Sequence, residues 1–319
     1  PSFVKFGQAL ASRSDLLGED IARDLAGLQD RMPPFPFAQV RATIEGELGK
    51  PLETLFRRFD EQPVAAASIA QVHLAVDPDG RDVAVKVLRP GIEKAFSRDL
   101  ELFFWIGGIA EANVPALRRL RLLASLETLA QSVSVEMDLR FEAAAAAELA
   151  ENFRDDRSFH VPAVDWVRTG RRVLTTERVV GLRINDRDAI AAAGHDPRAV
   201  LTKAVEAFFQ QVFRDGFFHG DLHAGNLFVR PLPPALDPVT GLESAGAPVS
   251  RQFQLVFVDF GMAVRLPKAM GENLRKILVG VTQRNARQLT EAYRDLGFFL
   301  PGADVDRITE AQEVILNQI

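Results

Sequence analysis

The chain has 319 residues, enough for two lobes or domains at the usual size of roughly 100–200 residues per domain. Its composition, 47% hydrophobic and 25% charged, is typical of a globular protein with an apolar core. A net charge of −5 provides no basic face for a phosphate backbone, so we expect no nucleic-acid partner. Because cysteine is absent, disulfides, thiolate metal sites and cysteine nucleophiles are excluded.

No segment of the sequence predicts a membrane span or a secretory signal. The longest apolar run, around residues 102–110, is far shorter than the roughly 20 residues that a spanning helix needs. The chain begins with Pro1 instead of methionine and ends within a helical pattern over 308–319. We therefore expect it to be a fragment of a longer protein.

The first 60 residues predict helices, because apolar residues recur there at three- and four-residue spacing. These residues are Leu17, Ile21, Leu25 and Leu28 in one stretch and Phe37, Val40, Ile44 and Leu48 in the next. Alternation of apolar residues over 72–76 and 83–88, around the turn sequence Asp77-Pro-Asp-Gly80, then predicts a β-hairpin.

Helices are predicted again from about residue 92 to 152, with a break near Pro115, and short strands over 162–180. A further helix is predicted from about 197 to 215, followed by short strands at 226–229 and 253–258. Residues 231–250 are rich in Pro, Gly, Ser and Ala, which indicates a long exposed loop. A small sheet followed by a mostly helical lobe is an α+β plan with a cleft between the lobes.

The strongest local signal is His219-Gly-Asp-Leu-His-Ala-Gly-Asn226. An Asp followed five residues later by an Asn, in a loop after a helix and before a strand, matches the catalytic loop of kinases. In that chemistry Asp221 faces the incoming hydroxyl, while Asn226 turns back to hold magnesium on the nucleotide phosphates.

Two further motifs lie on strands. Val83-Ala-Val-Lys86 places a lysine in an apolar strand, where it needs a partner such as phosphate or a glutamate. Val256-Phe-Val-Asp-Phe-Gly261 ends an apolar strand with Asp259, whose carboxylate can bind magnesium. Each motif alone is weak, but the three together, in kinase order, predict a nucleotide and magnesium site.

The chain resembles one family more closely than it resembles kinases in general. This is the UbiB family of atypical kinase-like proteins of ubiquinone biosynthesis, and the resemblance covers essentially the whole chain. The matching motifs are the KxGQ signature with Lys5 and Gln8, the Ala-rich loop of Ala65, Ala66, Ala67 and Ser68, the ExD motif of Glu136 and Asp138, and Glu142 after it. This resemblance implies a bilobal protein-kinase-like fold of the α+β class. It would have a helical extension over 1–60, a small lobe over 61–180 and a mostly helical lobe over 181–319, truncated at its end.

The resemblance also implies roles for these residues. Glu142 would pair with Lys86, the Ala-rich loop would hold nucleotide, and Glu136 and Asp138 would meet the KxGQ side chains over the cleft. From helical periodicity we expect Asp138 and Glu142 to share one helix face, with Glu136 pointing elsewhere. Because alanine restricts the backbone more than glycine, this loop should hold nucleotide differently from an ordinary kinase.

The family's implied cofactors are ATP or ADP with Mg²⁺, and its implied activity is a weak ATPase that supports ubiquinone biosynthesis. Quinone-precursor lipids, biosynthetic proteins and a membrane surface are the implied partners. The implied location is cytoplasmic, peripheral or anchored at the inner membrane, with the anchor outside this chain. No activation segment is visible after Gly261, which favours a lipid-linked or small-molecule acceptor over a peptide.

Three alternatives stay open. A small-molecule kinase of the aminoglycoside or choline type explains Asp221, Asn226 and Asp259 but leaves the KxGQ and ExD motifs unused. A metallohydrolase with His219, Asp221 and His223 as ligands leaves Lys86 without a role. A nucleotide-gated binding module would need the same magnesium site as a true kinase, so the sequence does not separate these two.

Overall fold

The computed structural model describes residues 33–114, 121–232, 252–299 and 302–318. The helix predicted over 17–28, the KxGQ residues Lys5 and Gln8, and most of the loop predicted over 231–250 lie outside these ranges. The chain divides into two compact units. Unit 1 takes the residues up to Glu151 together with Val161–Val180 and Val258–Gly261, and unit 2 takes Asn152–His160, Gly181–Phe257 and the residues from Met262 onward.

The described strands, in chain order, are β1 (Arg58–Phe59), β2 (Ala65–Ala66), β3 (Ala70–Val76), β4 (Asp82–Leu88), β5 (Phe159–His160), β6 (Val173–Glu177), β7 (Leu182–Arg183), β8 (Phe217–His219), β9 (Leu227–Pro231), β10 (Phe253–Phe257) and β11 (Ala263–Arg265). The described α-helices are α1 (Phe37–Leu48), α2 (Leu52–Leu55), α3 (Ile92–Asn113), α4 (Leu122–Glu136), α5 (Leu139–Asn152), α6 (Arg187–Ala192), α7 (Pro197–Phe209), α8 (Lys268–Thr282), α9 (Ala286–Asp295) and α10 (Val305–Gln318). The combination is of the α+β class, as predicted.

The sheet of unit 1 is antiparallel, with the strand order β1-β3-β4-β6 and β2 paired to β3. The predicted hairpin is present, with Val72 of β3 opposite Lys86 of β4. Its turn is closed by Asp77, whose carboxylate accepts hydrogen bonds from the Arg81 backbone N–H at 2.9 Å and from the Arg81 side chain at 2.7 Å. The aspartate of this turn thus acts as turn chemistry predicts, and Gly80 takes the positive φ of 87° that glycine permits.

Two clusters of buried side chains form the core of unit 1. Helices α1 and α2 pack Val40, Ile44 and Leu52 against Val85 and Val87 of the sheet. A second cluster joins β4 and β6 to the helices α3, α4 and α5. Since successive side chains of a strand point to opposite faces, burial of Val85 and Val87 places Lys86 on the other face.

One expectation about the helices of unit 1 is wrong. Helix α4 ends at Glu136 and α5 begins at Leu139, so Asp138 lies in the break and does not share a helix face with Glu142. The Asp138 carboxylate accepts the backbone N–H of Arg140 at 3.2 Å and pairs with the Arg140 guanidinium at 2.6 Å. An aspartate that bonds an early helical N–H favours the start of a new helix over continuation of the old one.

Unit 2 contains a four-stranded sheet in the order β5-β10-β9-β7 and a two-stranded sheet of β8 and β11. Helices α8, α9 and α10 pack around Ala286, Leu289 and Leu316. Nowhere in the ranges that the structure covers is a helix both long and apolar enough to cross a membrane.

Several predicted boundaries need correction. The helix predicted to 215 is α-helical only to Phe209 and continues as a π-helical stretch, Gln210–Asp215. The strand predicted from Asn226 begins at Leu227, and β8 and β11, both three residues long, were not predicted. Within 162–180 only β6 is a strand, and Trp166–Arg168 forms a 3₁₀ turn. The strands β8 and β11 pair with each other and therefore depend on a partner that is distant in sequence.

Candidate functional site

Three charged side chains meet in unit 1. Lys86 Nζ donates to both carboxylate oxygens of Glu142 at 2.9 Å and to Asp259 Oδ1 at 3.0 Å. Strand β4 provides the lysine, helix α5 provides the glutamate, and the segment after β10 provides the aspartate. The structure therefore contains the Lys86–Glu142 pair that the resemblance implied and adds Asp259 to it, over separations of 56 and 173 positions.

Burial sets the electrostatics of this cluster. Desolvation lowers the pKa of Lys86, but attraction to the Asp259 and Glu142 carboxylates outweighs it, so the net shift is upward and the lysine stays charged. Burial raises the pKa of Glu142 to about 7; Lys86 opposes this shift and Asp259 adds to it. Two carboxylates thus share one ammonium, and the cluster carries an excess of negative charge when both are ionised.

Asp259 has features that suit a cation ligand. Its backbone is in the left-handed region, with φ at 63°, a conformation uncommon for a residue other than glycine. Its side chain is 52% exposed, whereas that of Glu142 is buried. Hard oxygen donors are the ligands that Mg²⁺ prefers, and the excess negative charge of the cluster would favour a cation beside it. The residues present therefore fit a magnesium ligand set that includes Asp259.

The Ala-rich loop lies at the edge of the same sheet. Ala65 and Ala66 form the short strand β2, paired with β3, where the sequence had indicated only a loop. The Ala67 N–H donates to the Ala70 carbonyl at 2.8 Å, which closes a tight turn around the buried Ser68. The Ala67 carbonyl accepts from Arg89 Nε at 3.2 Å and Nη2 at 3.1 Å.

The motif loop of unit 2 is held by hydrogen bonds within its own sequence. Asn226 Nδ2 donates to the Asp221 carbonyl at 3.0 Å and lies 3.4 Å from Asp221 Oδ2, and the Asn226 N–H donates to the His223 carbonyl at 2.9 Å. The side-chain nitrogen Nδ2 of Asn226 thus donates within the loop, so the side-chain oxygen Oδ1 is the atom that could bind a cation. The five-residue spacing of Asp221 and Asn226 thus lets the Asn226 side chain bond back to the Asp221 backbone.

Contacts with neighbouring elements orient this loop within unit 2. The Asp221 N–H donates to His219 Nδ1 at 3.2 Å, and the His219 N–H donates to Gln211 Oε1 at 2.8 Å. The Gly220 N–H donates to the Met262 carbonyl at 2.9 Å, and a Cβ on Gly220 would lie only 2.3 Å from that oxygen. The glycine is therefore required by the close approach of a second backbone.

The arrangement gives no support to a metallohydrolase. His219 is buried and its Nδ1 accepts the Asp221 N–H, while His223 Nε2 lies 3.7 Å from Asp221 Oδ2 on an exposed side chain. Throughout the described ranges, no group of three or more His, Asp or Glu side chains could hold a metal ion.

Sequence reasoning missed two residues that contact the motif loops. Gln211 is fully buried and accepts the His219 N–H; its only signal was a polar residue among the apolar positions of the helix before the motif. Arg89 contacts Ala67 and follows an apolar strand, which by itself is a weak signal. The implied contact of Glu136 and Asp138 with Lys5 and Gln8 involves residues outside the described ranges, so it stays a prediction.

Comparisons with known proteins identify the family of the chain. The ABC1 atypical kinase-like domain matches residues 27–293. The chain is 39% identical over 319 residues to a "Probable protein kinase UbiB" of Marinobacter nauticus, covering all of this chain and 55% of that protein, and 36% identical to the protein of the same description from Azotobacter vinelandii, of which it covers 56%. It thus spans about half the length of these relatives.

A solved structure shares the fold. The Rv3197–erythromycin complex from Mycobacterium tuberculosis matches with a TM-score of 0.66 and 26% identity, over 98% of this chain and 74% of that one. The motifs, the kinase-like fold and the family match over most of the sequence lead to one conclusion: the chain belongs to the ABC1 atypical kinase-like family.

Proposed function

We propose that this chain binds a magnesium–nucleotide complex and acts as an atypical kinase-like ATPase in ubiquinone biosynthesis. The observation that carries the proposal is the cluster of Lys86, Glu142 and Asp259. A lysine held by a buried glutamate on a helix, beside an aspartate that follows a strand, is the arrangement that positions nucleotide phosphates in kinases. The ubiquinone role is supported by the names of the relatives.

Each residue has a proposed role. Lys86, oriented by Glu142, would contact the α- and β-phosphates, and Asn226 and Asp259 would hold magnesium. Magnesium, when bound, would neutralise charge on the phosphates as they react. Asp221 would orient an acceptor hydroxyl or a water, because its backbone is fixed by Asn226 while its side chain stays partly exposed.

We propose a lipid-linked or small-molecule acceptor, such as a quinone precursor, or a biosynthetic protein complex as the target of the ATPase. The chain passes from Gly261 through β11 directly into α8 at Lys268. So short a connection leaves no segment between them that resembles a peptide-binding activation segment, which supports an acceptor other than a peptide.

A membrane surface is the proposed place of action, at the cytoplasmic side of the inner membrane, peripherally or by an anchor elsewhere in the protein. Helix α3 supports this with exposed apolar side chains at the spacing of one helix face: Leu102, Trp105, Ile106 and Ile109. Trp105 is 65% exposed, and an exposed apolar stripe that includes tryptophan is typical of surfaces that contact lipid or protein.

The test of the nucleotide site is Asp259→Asn. Binding of ADP and ATP is measured by calorimetry with and without Mg²⁺, and we expect the variant to lose the magnesium-dependent part of the affinity. The matched control is Asp155→Asn, because this aspartate is almost fully exposed and pairs only loosely with Arg154 at 3.7 Å. Unchanged magnesium dependence in Asp259→Asn would exclude its assignment as a ligand.

A second experiment addresses the Ala-rich loop and the acceptor. Replacing Ala66 or Ala67 by glycine should alter the preference between ATP and ADP, because glycine opens backbone conformations that alanine excludes.

Phosphate release is then measured with and without anionic vesicles and phenolic quinone precursors, while the mixture is searched for a phosphorylated product. Release stimulated by vesicles and phenol, without such a product, supports an ATPase. A stoichiometric phosphorylated small molecule would indicate a small-molecule kinase.

A further inference from the structure

The segment 33–35 links the residues before it to helix α1, and two side chains of the sheet hold its backbone. Gln71 of β3 provides one and Arg89, which directly follows β4, provides the other. Both side chains come from the hairpin that also carries Lys86 and pairs with the Ala-rich loop. The segment is therefore fastened to the element that frames the proposed nucleotide site.

Gln71 binds the backbone of Phe35 on both sides. Its Oε1 accepts the Phe35 N–H at 2.9 Å, and its Nε2 donates to the Phe35 carbonyl at 3.3 Å. Nε2 also lies 2.9 Å from His73 Nε2, and His73 Nδ1 lies 2.8 Å from the Asp60 carbonyl. Gln71 and His73 are both buried, so this network is shielded from competing water.

Arg89 connects the segment directly to the Ala-rich loop. Nη2 donates to the Pro33 carbonyl at 2.7 Å and to the Ala67 carbonyl at 3.1 Å, and Nε donates to the same Ala67 oxygen at 3.2 Å. Its guanidinium carbon lies 5.4 Å from the centre of the Phe35 ring, within the range of a cation–π contact. One planar group thus joins two backbone carbonyls that are 34 positions apart in the sequence (67 − 33).

We propose that Arg89 is a positioning residue that couples segment 33–35 to the Ala-rich loop, so that the affinity for nucleotide depends on how this segment is held. The inference rests on the proposed function, since it concerns regulation of that site. Because the guanidinium is rigid, displacement of Pro33 weakens or redirects the bonds to Ala67. Coupling of this kind is reciprocal: nucleotide held by the loop also stabilises the segment.

The experiment combines hydrogen exchange with nucleotide binding. In Arg89→Met, exchange of the Ala67 and Phe35 amides should accelerate about tenfold, because the charge-assisted bonds that hold both backbones are lost. Arg89→Lys keeps the charge but not the planar fork, so we expect an intermediate acceleration. Arg58→Met removes an exposed arginine of the same sheet and should change neither amide.

Coupling is distinguished from a merely structural role by a second substitution. Phe35→Ala removes the ring beneath the guanidinium and should accelerate Ala67 exchange in the wild-type background but not in Arg89→Met. Mg–ADP should slow exchange of the Phe35 amide in the wild type and leave it unchanged in Arg89→Met. Unchanged Ala67 exchange in Phe35→Ala would overturn the inference.

The failure of the inference can be told apart from failure of the proposed function. If the wild type bound no nucleotide, the proposed function would fail, while the exchange experiments without nucleotide would still decide whether Arg89 couples the two segments. If nucleotide bound with equal affinity to the wild type and Arg89→Met, regulation by Arg89 would be excluded and the nucleotide site would stand.

Discussion

The cluster around Lys86 and the loop around Asp221 belong to different units and are held in different ways. In the loop, Asp221, His223 and Asn226 bond to one another within five positions of the sequence. In the cluster, Lys86 meets Glu142 and Asp259 across 56 and 173 positions. A motif of contiguous residues can encode its own geometry, whereas the lysine cluster exists only when a strand, a helix and a later segment are packed.

This difference has an energetic consequence. The side chains of Asp221 and His223 in the loop are exposed to solvent, and each neutral hydrogen bond there contributes about 1 kcal/mol. The Lys86 and Glu142 side chains are mostly buried, so each depends on the other's charge and removal of one leaves the other uncompensated. We therefore expect substitutions in the cluster to have larger effects on binding than substitutions at the surface of either unit.

The largest effect is expected for Lys86→Met. Removal of the ammonium leaves Glu142 and Asp259 to repel each other and the phosphates, and we expect nucleotide affinity to fall on the order of 100-fold. Calorimetric titration with Mg–ADP measures this change. Lys94→Met serves as the control, because Lys94 is an exposed lysine of helix α3 and should leave affinity within about twofold. Equal losses in the two variants would contradict a special role for the cluster.

The second largest effect is expected where the loop of unit 2 approaches the backbone of Met262. In Gly220→Ala the new Cβ would meet the Met262 carbonyl, so we expect the free energy of unfolding to fall by about 2–3 kcal/mol. Urea unfolding measures it.

Gly46→Ala is the matched control for this glycine substitution. Gly46 lies inside helix α1, and apart from its chain neighbours and the backbone of its own helix no atom lies within 4 Å of the position that a Cβ would take, so alanine should stabilise the protein by about 0.5–1 kcal/mol. If Gly220→Ala were as well tolerated as Gly46→Ala, the loop would not depend on its approach to Met262.

The smallest effect concerns the buried His73 of unit 1. Desolvation lowers the pKa of His73 below its usual 6.5, so the folded protein binds a proton at this site less readily than the unfolded chain. Stability must therefore fall as pH decreases through 6.5. We expect the contribution of this histidine to decline by up to about 1 kcal/mol between pH 7.5 and 5.5.

Urea unfolding at several pH values, compared with His73→Asn, measures this contribution. Asparagine can donate to the Asp60 carbonyl but does not titrate, so its unfolding free energy should change less over the same interval. A slope identical in the two proteins would show that His73 does not titrate as its burial requires.

Local elements were the part of the fold most readily predicted from sequence. The hairpin with Asp77 and Gly80 in its turn and the helix with Val40 and Ile44 on its inner face match the structure, because periodicity and turn chemistry act within a few residues. The short strand β8 was missed, since its three residues pair with β11 across more than 40 positions. The break at Asp138 was missed because its effect depends on bonds to Arg140 that override helical periodicity.

The candidate site, like the fold, has features that the sequence determined and features that only the tertiary structure decided. The sequence by itself determined the family of this protein and the identity of Lys86, Asp221, Asn226 and Asp259 as candidate site residues, because motifs of contiguous residues carry that information. Only the tertiary structure decided that Asp259 also contacts Lys86 beside the Lys86–Glu142 pair that the resemblance implied, and that Arg89 joins Pro33 to Ala67. The physical reason is that charge pairing under burial depends on distance in space, which sequence spacing does not express.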